Sequence, residues 1–248
     1  MLWQAISAVH DMGRLHDIAA VLIRYGFGDQ VRRIGMASAL ERAGRVLHWR
    51  APDELARLEP PARVRRVLEE LGPTFVKLGQ ILSTRIDLFP PEWIAEFGKL
   101  QDSAPSVPFD ALRAQLAEDL GEPPEKVFTA LETTPLAAAS LAQVHRARLA
   151  NGDEVVLKVR RPGIRKVVEA DLRLLAHVAE IVEAEVPELR RYPPQEVIHQ
   201  FTVSLRRELD FAAECHNAER IAANFADHDD IIIPRVHWQW VGERLNVQ

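Results

Sequence analysis

The chain has 248 residues, 47% hydrophobic and 27% charged, with a formal net charge of −5. That is enough to bury the core of one large domain or two small ones, and too acidic overall for a general nucleic-acid binder. Cys215 is the only cysteine, and neither a membrane-length apolar run nor an N-terminal signal pattern is present. An internal disulfide framework is therefore excluded, and the expected location is a reducing cytoplasm.

In residues 1–50, Ile18, Val21 and Leu22, then Met36, Leu40 and Leu47, recur at helical spacing. This predicts two or three helices with a turn at Phe27-Gly28. Arg14, Arg24, Arg32, Arg33, Arg42, Arg45 and Arg50 make the stretch basic. Such a stripe could lie on a membrane surface, but packing on the protein's own core with solvated arginines is the favoured reading. Residues 52–72 predict a further helix, entered at Pro52-Asp53 and closed at Leu71-Gly72. Pro73 suits the first turn of the next helix, expected over 73–85. Its Phe75, Leu78, Ile81 and Leu82 would face the core, with Lys77, Gln80 and Thr84 on the polar side.

Two short helices are expected within 108–131, the first opened by Pro108 and closed by Gly121, the second opened by Pro124 and running through Val127-Phe128 and Leu131. Alternating runs at Ala142–Leu149 and Asp153–Arg160 flank Asn151-Gly152. Asn-Gly between such runs predicts a hairpin with a type I′ turn. In its second strand Val155, Leu157 and Val159 share one face, and Val156 and Lys158 the other. A lysine inside a β-branched strand needs a partner for its charge. The small-residue segment Ala137-Ala138-Ala139-Ser140 leads into the hairpin.

Residues 164–186 predict an amphipathic core helix stopped by Pro187, and Pro193-Pro194 opens a helix running to about Phe225. That helix carries Glu208, Asp210 and Glu214, with Asn217 beyond. Asp210 and Glu214, four apart, would face the same way. Ile231–Ile233 and Val236–Leu245 predict short strands, with Gly242 in the turn.

A small-residue loop, a strand, a tight turn and a strand with an inward lysine is the layout of a kinase nucleotide lobe. No glycine lies between Gly121 and Gly152, so the glycine-rich loop is absent. Ala137–Ser140, followed by Gln143-Val144-His145 and by V-V-L-K-V-R-R-P-G at 155–163, resembles the UbiB/AarF-type atypical kinases, which carry an alanine-rich loop instead. L-G-P-T-F-V-K-L-G-Q-I-L-S-T-R at 71–85 is similar to that family's K-x-G-Q motif, placing Lys77, Gly79 and Gln80. Asp87–Pro91 and Leu100-Gln101-Asp102 continue the likeness. E-L-D followed by E-x-x-N, at Glu208, Asp210, Glu214 and Asn217, resembles its E-x-D element.

The resemblance implies an α+β fold. Residues 1–131 would form a helical extension packed on a kinase-like N-lobe at 132–248, an antiparallel sheet plus an αC-like helix, with the C-lobe absent. It implies an ATP-dependent kinase or ATPase supporting ubiquinone biosynthesis or lipid homeostasis. Ala137, Ala138, Ala139 and Ser140 would cover the nucleotide, Lys158 would hold its α/β-phosphates, and Val156 and Glu214 would complete the site. Either Glu214 or Glu208 would pair with Lys158, with the remaining acids facing Lys77 and Gln80. The H-x-D loop and D-F-G that supply the catalytic base and the Mg²⁺ ligands are missing: Asp210-Phe211 continues into Ala212, and His228-Asp229-Asp230 precedes a first-lobe strand. No catalytic residue or metal ligand is therefore assigned, and the isolated chain is expected to show no ATP turnover. The expected partners are the nucleotide, an isoprenoid lipid or membrane surface at the inner membrane, and a second lobe encoded in an adjacent reading frame. The competing expectation is a noncatalytic module that binds a partner protein or a membrane surface.

Overall fold

The structure is a computed structural model that describes residues 9–48, 53–100, 104–185 and 193–248. Expectations resting on Arg50, Pro52, Gln101-Asp102 and Pro187 fall outside those residues. In chain order the elements begin with α1 (Val9–Arg24), α2 (Gly28–Arg33), α3 (Met36–Arg42), α4 (Asp53–Ala56), α5 (Pro60–Leu71), α6 (Pro73–Leu82) and α7 (Pro91–Phe97). They continue with α8 (Phe109–Leu120), α9 (Pro124–Val127), β1 (Phe128–Leu131), β2 (Ala137–Ala138), β3 (Ala142–Leu149) and β4 (Glu154–Arg160). The last are α10 (Ile164–Glu185), α11 (Pro194–Glu208), α12 (Phe211–Asn224) and β5 (Leu245–Val247).

These elements form two compact units, and both are discontinuous in sequence. The first takes the described residues of Met1–Asp102 and Lys166–Thr202, the second Ser103–Arg165 and Val203–Gln248. The division differs from a single boundary at 131/132. Residues 104–131 fall in the unit of the sheet, where β1 pairs with β3, and most of α10 belongs with the N-terminal helices.

In the first unit α1, α2, α3, α5 and α6 bury a core that includes Leu15, Leu40, Leu68, Phe75 and Leu174. Two Arg–Asp pairs cross it. On α10, Asp171 is fully buried and accepts from Arg14 of α1 at 2.5 and 3.1 Å and from the Thr74 hydroxyl at 2.7 Å. Arg173, two residues on, donates to Asp11 at 2.6 and 2.9 Å. Asp11 and Arg14 thus meet Arg173 and Asp171 in reciprocal order, which fixes one register of α1 on α10. Of the basic residues near the start, Arg24 pairs with Glu70 and Arg33 with Glu185. These pairs are exposed, whereas Arg14, also expected to be solvated, is tied to the buried Asp171. No helix among the described residues is long and apolar enough to cross a membrane.

Several expectations shift in detail. The first turn lies at Gly26, whose φ is 80°, and α2 already begins at Gly28. The helix expected over 52–72 is two helices, α4 and α5. Pro60 and Pro61 lack the N–H that would carry the helix through, and they suit the start of a new one. Helix α6 ends at Leu82, so Thr84 sits in the following turn, its hydroxyl donating to the Ile81 carbonyl at 2.8 Å. It shares no helical face with Lys77 and Gln80.

Gly79 on α6 is buried, and a Cβ there would run into Leu100 and Leu68. Alanine should gain about 1 kcal/mol in helix propensity, but overpacking typically costs about 1–3 kcal/mol. Gly79→Ala is expected to be net destabilising by about 1 kcal/mol, because Leu68 and Leu100 are themselves 8% and 5% exposed and have little room to move. A denaturant midpoint equal to or above wild type would show that the leucines repack freely.

In the second unit the sheet is antiparallel in the order β1-β3-β4-β5, with β2 added on β3. Val155, Leu157 and Val159 alternate inward as expected and join Ala147, Leu149, Leu245 and Val247 in a core closed by Leu112 and Leu116 of α8. Residues 128–131, read as the end of a second short helix, form strand β1 instead. The hairpin is present, but its turn is not type I′: Asn151 has negative φ and only Gly152, at 93°, is left-handed. Gly152 N–H donates to Leu149 O at 3.0 Å and Leu149 N–H to Asp153 O at 2.9 Å. The left-handed glycine after a tight turn makes a three-residue connection.

Residues 231–237 carry no regular secondary structure, and Trp238–Trp240 is a 3-10 turn, so only β5 remains of the expected terminal strands. Pro234 removes a ladder donor from the middle of that stretch. The long helix expected over 194–225 breaks at Leu209-Asp210. Asp210 has extended backbone and its carboxylate accepts from the N–H groups of Ala212 and Ala213, capping α12. The three acids are thereby separated: Glu208 ends α11, Asp210 is the cap, and Glu214 lies one turn into α12.

Candidate nucleotide site

Cross-strand pairing sets the side of the sheet on which the site lies. Val144 pairs with Lys158 and Arg146 with Val156, so these four share the face opposite the α8 core. Val144 and Val156 are half-buried and make an apolar floor beside the lysine. A separate open groove of about 920 Å³ lies toward the hairpin end of this unit, lined by Glu132, Arg146, Glu154, Val156, Arg235 and His237 among others, and of the candidate site residues it takes in Val156 but not Lys158, Glu214 or the alanines.

The Lys158 ammonium meets both carboxylate oxygens of Glu214, at 2.6 and 2.8 Å. It also lies 4.8 Å from the ring centroid of Phe211, a cation–π position. Phe211 is buried and sits three residues before Glu214, so one turn of α12 holds the lysine from two sides. Arg160 reinforces the junction. Its buried guanidinium donates to the Leu209 carbonyl at 2.6 Å, just where α11 gives way to α12. Strand β4 thus grips the start of α12 twice, through Arg160 and Lys158.

The alternative between Glu208 and Glu214 resolves geometrically to Glu214. Glu208 is exposed at the end of α11, and Asn217 is exposed on α12 beyond the pair. Asp210 acts through its cap. Ala137 and Ala138 pair with Val144 and Gln143 as β2, and Ser140 is buried where the chain turns into β3. Ala137, Ala138, Ala139, Ser140, Val156, Lys158 and Glu214 therefore belong to one unit. Lys77, Gly79 and Gln80 belong to the other. There Gln80 donates to the Leu100 carbonyl at 3.2 Å, beside the Leu100 side chain that needs Gly79, while Lys77 is half-buried.

Gln143 and His145 point to the core side and are fully buried. Gln143 Nε2 donates to the Val107 carbonyl at 3.2 Å and its Oε1 accepts the Val107 N–H. His145 Nδ1 bonds the Glu132 carbonyl at 2.9 Å. Both are scaffold beneath the site. Phe211 and Arg161, unassigned from sequence, contact the site residues. Only Phe211 had a signal, its helical spacing from Glu214.

Cys215 follows Glu214 and faces inward, fully buried. Burial, with the neighbouring Glu214 charge, pushes its thiol up to about 11. The thiolate is the reactive form, so a disulfide reagent at neutral pH is expected to label Cys215 only at the rate of unfolding. Rapid labelling of the native protein would show that α12 does not stay packed on the sheet.

An antiparallel sheet whose lysine is paired with a glutamate of a packed helix defines the small lobe of a protein-kinase-like fold. The ABC1 atypical kinase-like domain matches residues 99–247, and the chain belongs to that family. A relative from Pseudomonas aeruginosa, described as a probable protein kinase UbiB, is 40% identical over 236 residues, covering 94% of this chain and 44% of the relative. A like-named protein of Aliivibrio salmonicida is 39% identical over 246 residues, covering 96% and 44%. The chain spans a little under half the length of these relatives. Among solved structures, a chain of the Rv3197–erythromycin complex from Mycobacterium tuberculosis is similar at 24% identity and a TM-score of 0.48, over 89% of this chain and 50% of that one.

Proposed function

We propose that this chain is the nucleotide-lobe part of a UbiB-like atypical kinase or ATPase that supports ubiquinone or related isoprenoid-quinone metabolism. The observation that carries the reading is the Lys158–Glu214 pair on a sheet whose β2, at Ala137-Ala138, lines up through Val144 with Lys158. The residues fit ATP: the loop has no side chain beyond Cβ at 137–139, leaving room for phosphates near the lysine, and Val144 and Val156 offer an apolar surface to a base. Lys158 would hold the phosphates as a compact cation, and Glu214 and Phe211 would keep it extended toward them. ATP with Mg²⁺ supplies phosphoryl transfer or hydrolysis in such kinases. The substrate side of the proposal is a lipid-like molecule, reached at a membrane surface.

The test is a chimera in which this chain replaces the matching part of the Pseudomonas aeruginosa relative, expressed in a strain lacking its own UbiB. Restored ubiquinone, lost again on Lys158→Met, is the expected result. A folded chimera that leaves ubiquinone unrestored would contradict the reading. Restoration that survives Lys158→Met would favour the noncatalytic, partner-binding alternative.

A further inference from the structure

Arg161 follows β4 and is half-buried. Its Nε donates to the Ala139 carbonyl at 2.9 Å, its Nη2 to the Pro105 carbonyl at 2.8 Å, and its own N–H to Leu141 O at 2.9 Å. The rest of the loop backbone is tied as well. Ala138 O accepts from Ala104 N–H at 3.3 Å, and Ala139 N–H donates to Ala142 O at 2.9 Å. Segment 104–107 is itself held down at its far end, where Gln143 grips both backbone groups of Val107. A side chain that bridges two carbonyls from separate segments and makes no described ion pair is placed for holding backbone. A glycine-rich loop moves freely and turns its N–H groups to phosphates. Here the Ala139 N–H is consumed within its own turn.

We propose that Arg161 is a positioning residue that fastens the alanine-rich loop to segment 104–107, making the loop a fixed cover rather than a flexible, amide-donating flap. Its consequence for binding rests on the nucleotide reading above: the phosphate grip would fall on Lys158, and a loosened loop would bind nucleotide less well. The holding role itself does not depend on that reading.

The test is amide hydrogen exchange on the full chain as wild type, Arg161→Gln and Arg161→Lys, read in peptides covering 136–144. Losing both side-chain bonds should speed loop exchange about tenfold in Arg161→Gln while α8 stays unchanged. Arg161→Lys, which keeps the charge and one donor, should fall between. Loop exchange equal to wild type, or an equal rise in α8, would overturn the proposal. Should Arg161→Gln not fold, the same comparison is made on Arg161→Lys alone. Binding of a fluorescent ATP analogue is measured in parallel with a Lys158→Met control. If wild-type binding depends on Lys158, Arg161→Gln should weaken it about five- to tenfold, and unchanged binding would overturn the covering role. If no Lys158-dependent binding is seen, the nucleotide reading fails, and loop exchange still decides whether Arg161 holds the loop.

Discussion

Asp171→Ala is expected to cost about 3–5 kcal/mol of stability, the range for breaking a buried ion pair by removing one partner. The carboxylate is fully buried, and its described donors are two N–H groups of Arg14 and the Thr74 hydroxyl. Removing it leaves the Arg14 charge, whose side chain is 18% exposed, with only the Leu71 carbonyl and the Phe75 ring face among its described partners. It also strands the Thr74 hydroxyl, itself fully buried. An exposed ion pair would cost at most about 1 kcal/mol, so the two cases separate cleanly in a denaturant titration. Asp171→Asn should be milder, since the amide oxygen still accepts one bond. A loss below about 1 kcal/mol for the alanine variant would mean that α1 and α10 are not held by this pair.

Lys158→Met should behave in the opposite way, with little effect on stability and a large one on nucleotide affinity. Lys158 and Glu214 side chains are 34% and 47% exposed, so solvent screens their attraction and its loss should cost about 0–1 kcal/mol. A charge-assisted bond to phosphate is stronger, about 1.5–3 kcal/mol, which predicts roughly ten- to a hundredfold weaker ATP-analogue binding. Glu214→Gln keeps a neutral acceptor and the Phe211 ring, so its loss should be smaller. Equal binding by wild type and Lys158→Met would remove the lysine from the site.

The sequence was most legible where local chemistry decides the structure. Alternation around Asn151-Gly152 revealed the hairpin and put Lys158 opposite Leu157, because strand periodicity leaves no other choice. The choice between Glu208 and Glu214 turned on whether one helix or two spans 194–225. The deciding signal was present, since Asp210 is a favoured N-cap residue with an acid, Glu214, at the start of the helix that follows. An acidic residue in a long apolar-periodic stretch looks the same when it is only a surface charge. The pairs Arg14–Asp171 and Asp11–Arg173 were not legible, because 157 and 162 residues separate the partners. Only the folded unit brings α1 to α10. The Arg161 bridge was hidden for a related reason: both acceptors are backbone carbonyls, which leave no mark on residue identity.

In the proposed function, the face carrying Ala137–Ser140, Val156, Lys158 and Glu214 receives a nucleotide. Hydrogen exchange of the full chain with and without millimolar ATP tests it most directly. The expected result is slowed exchange in peptides covering 136–144 and 154–160, with the protection absent in Lys158→Met. Protection confined to other peptides, or identical protection in wild type and Lys158→Met, would contradict it.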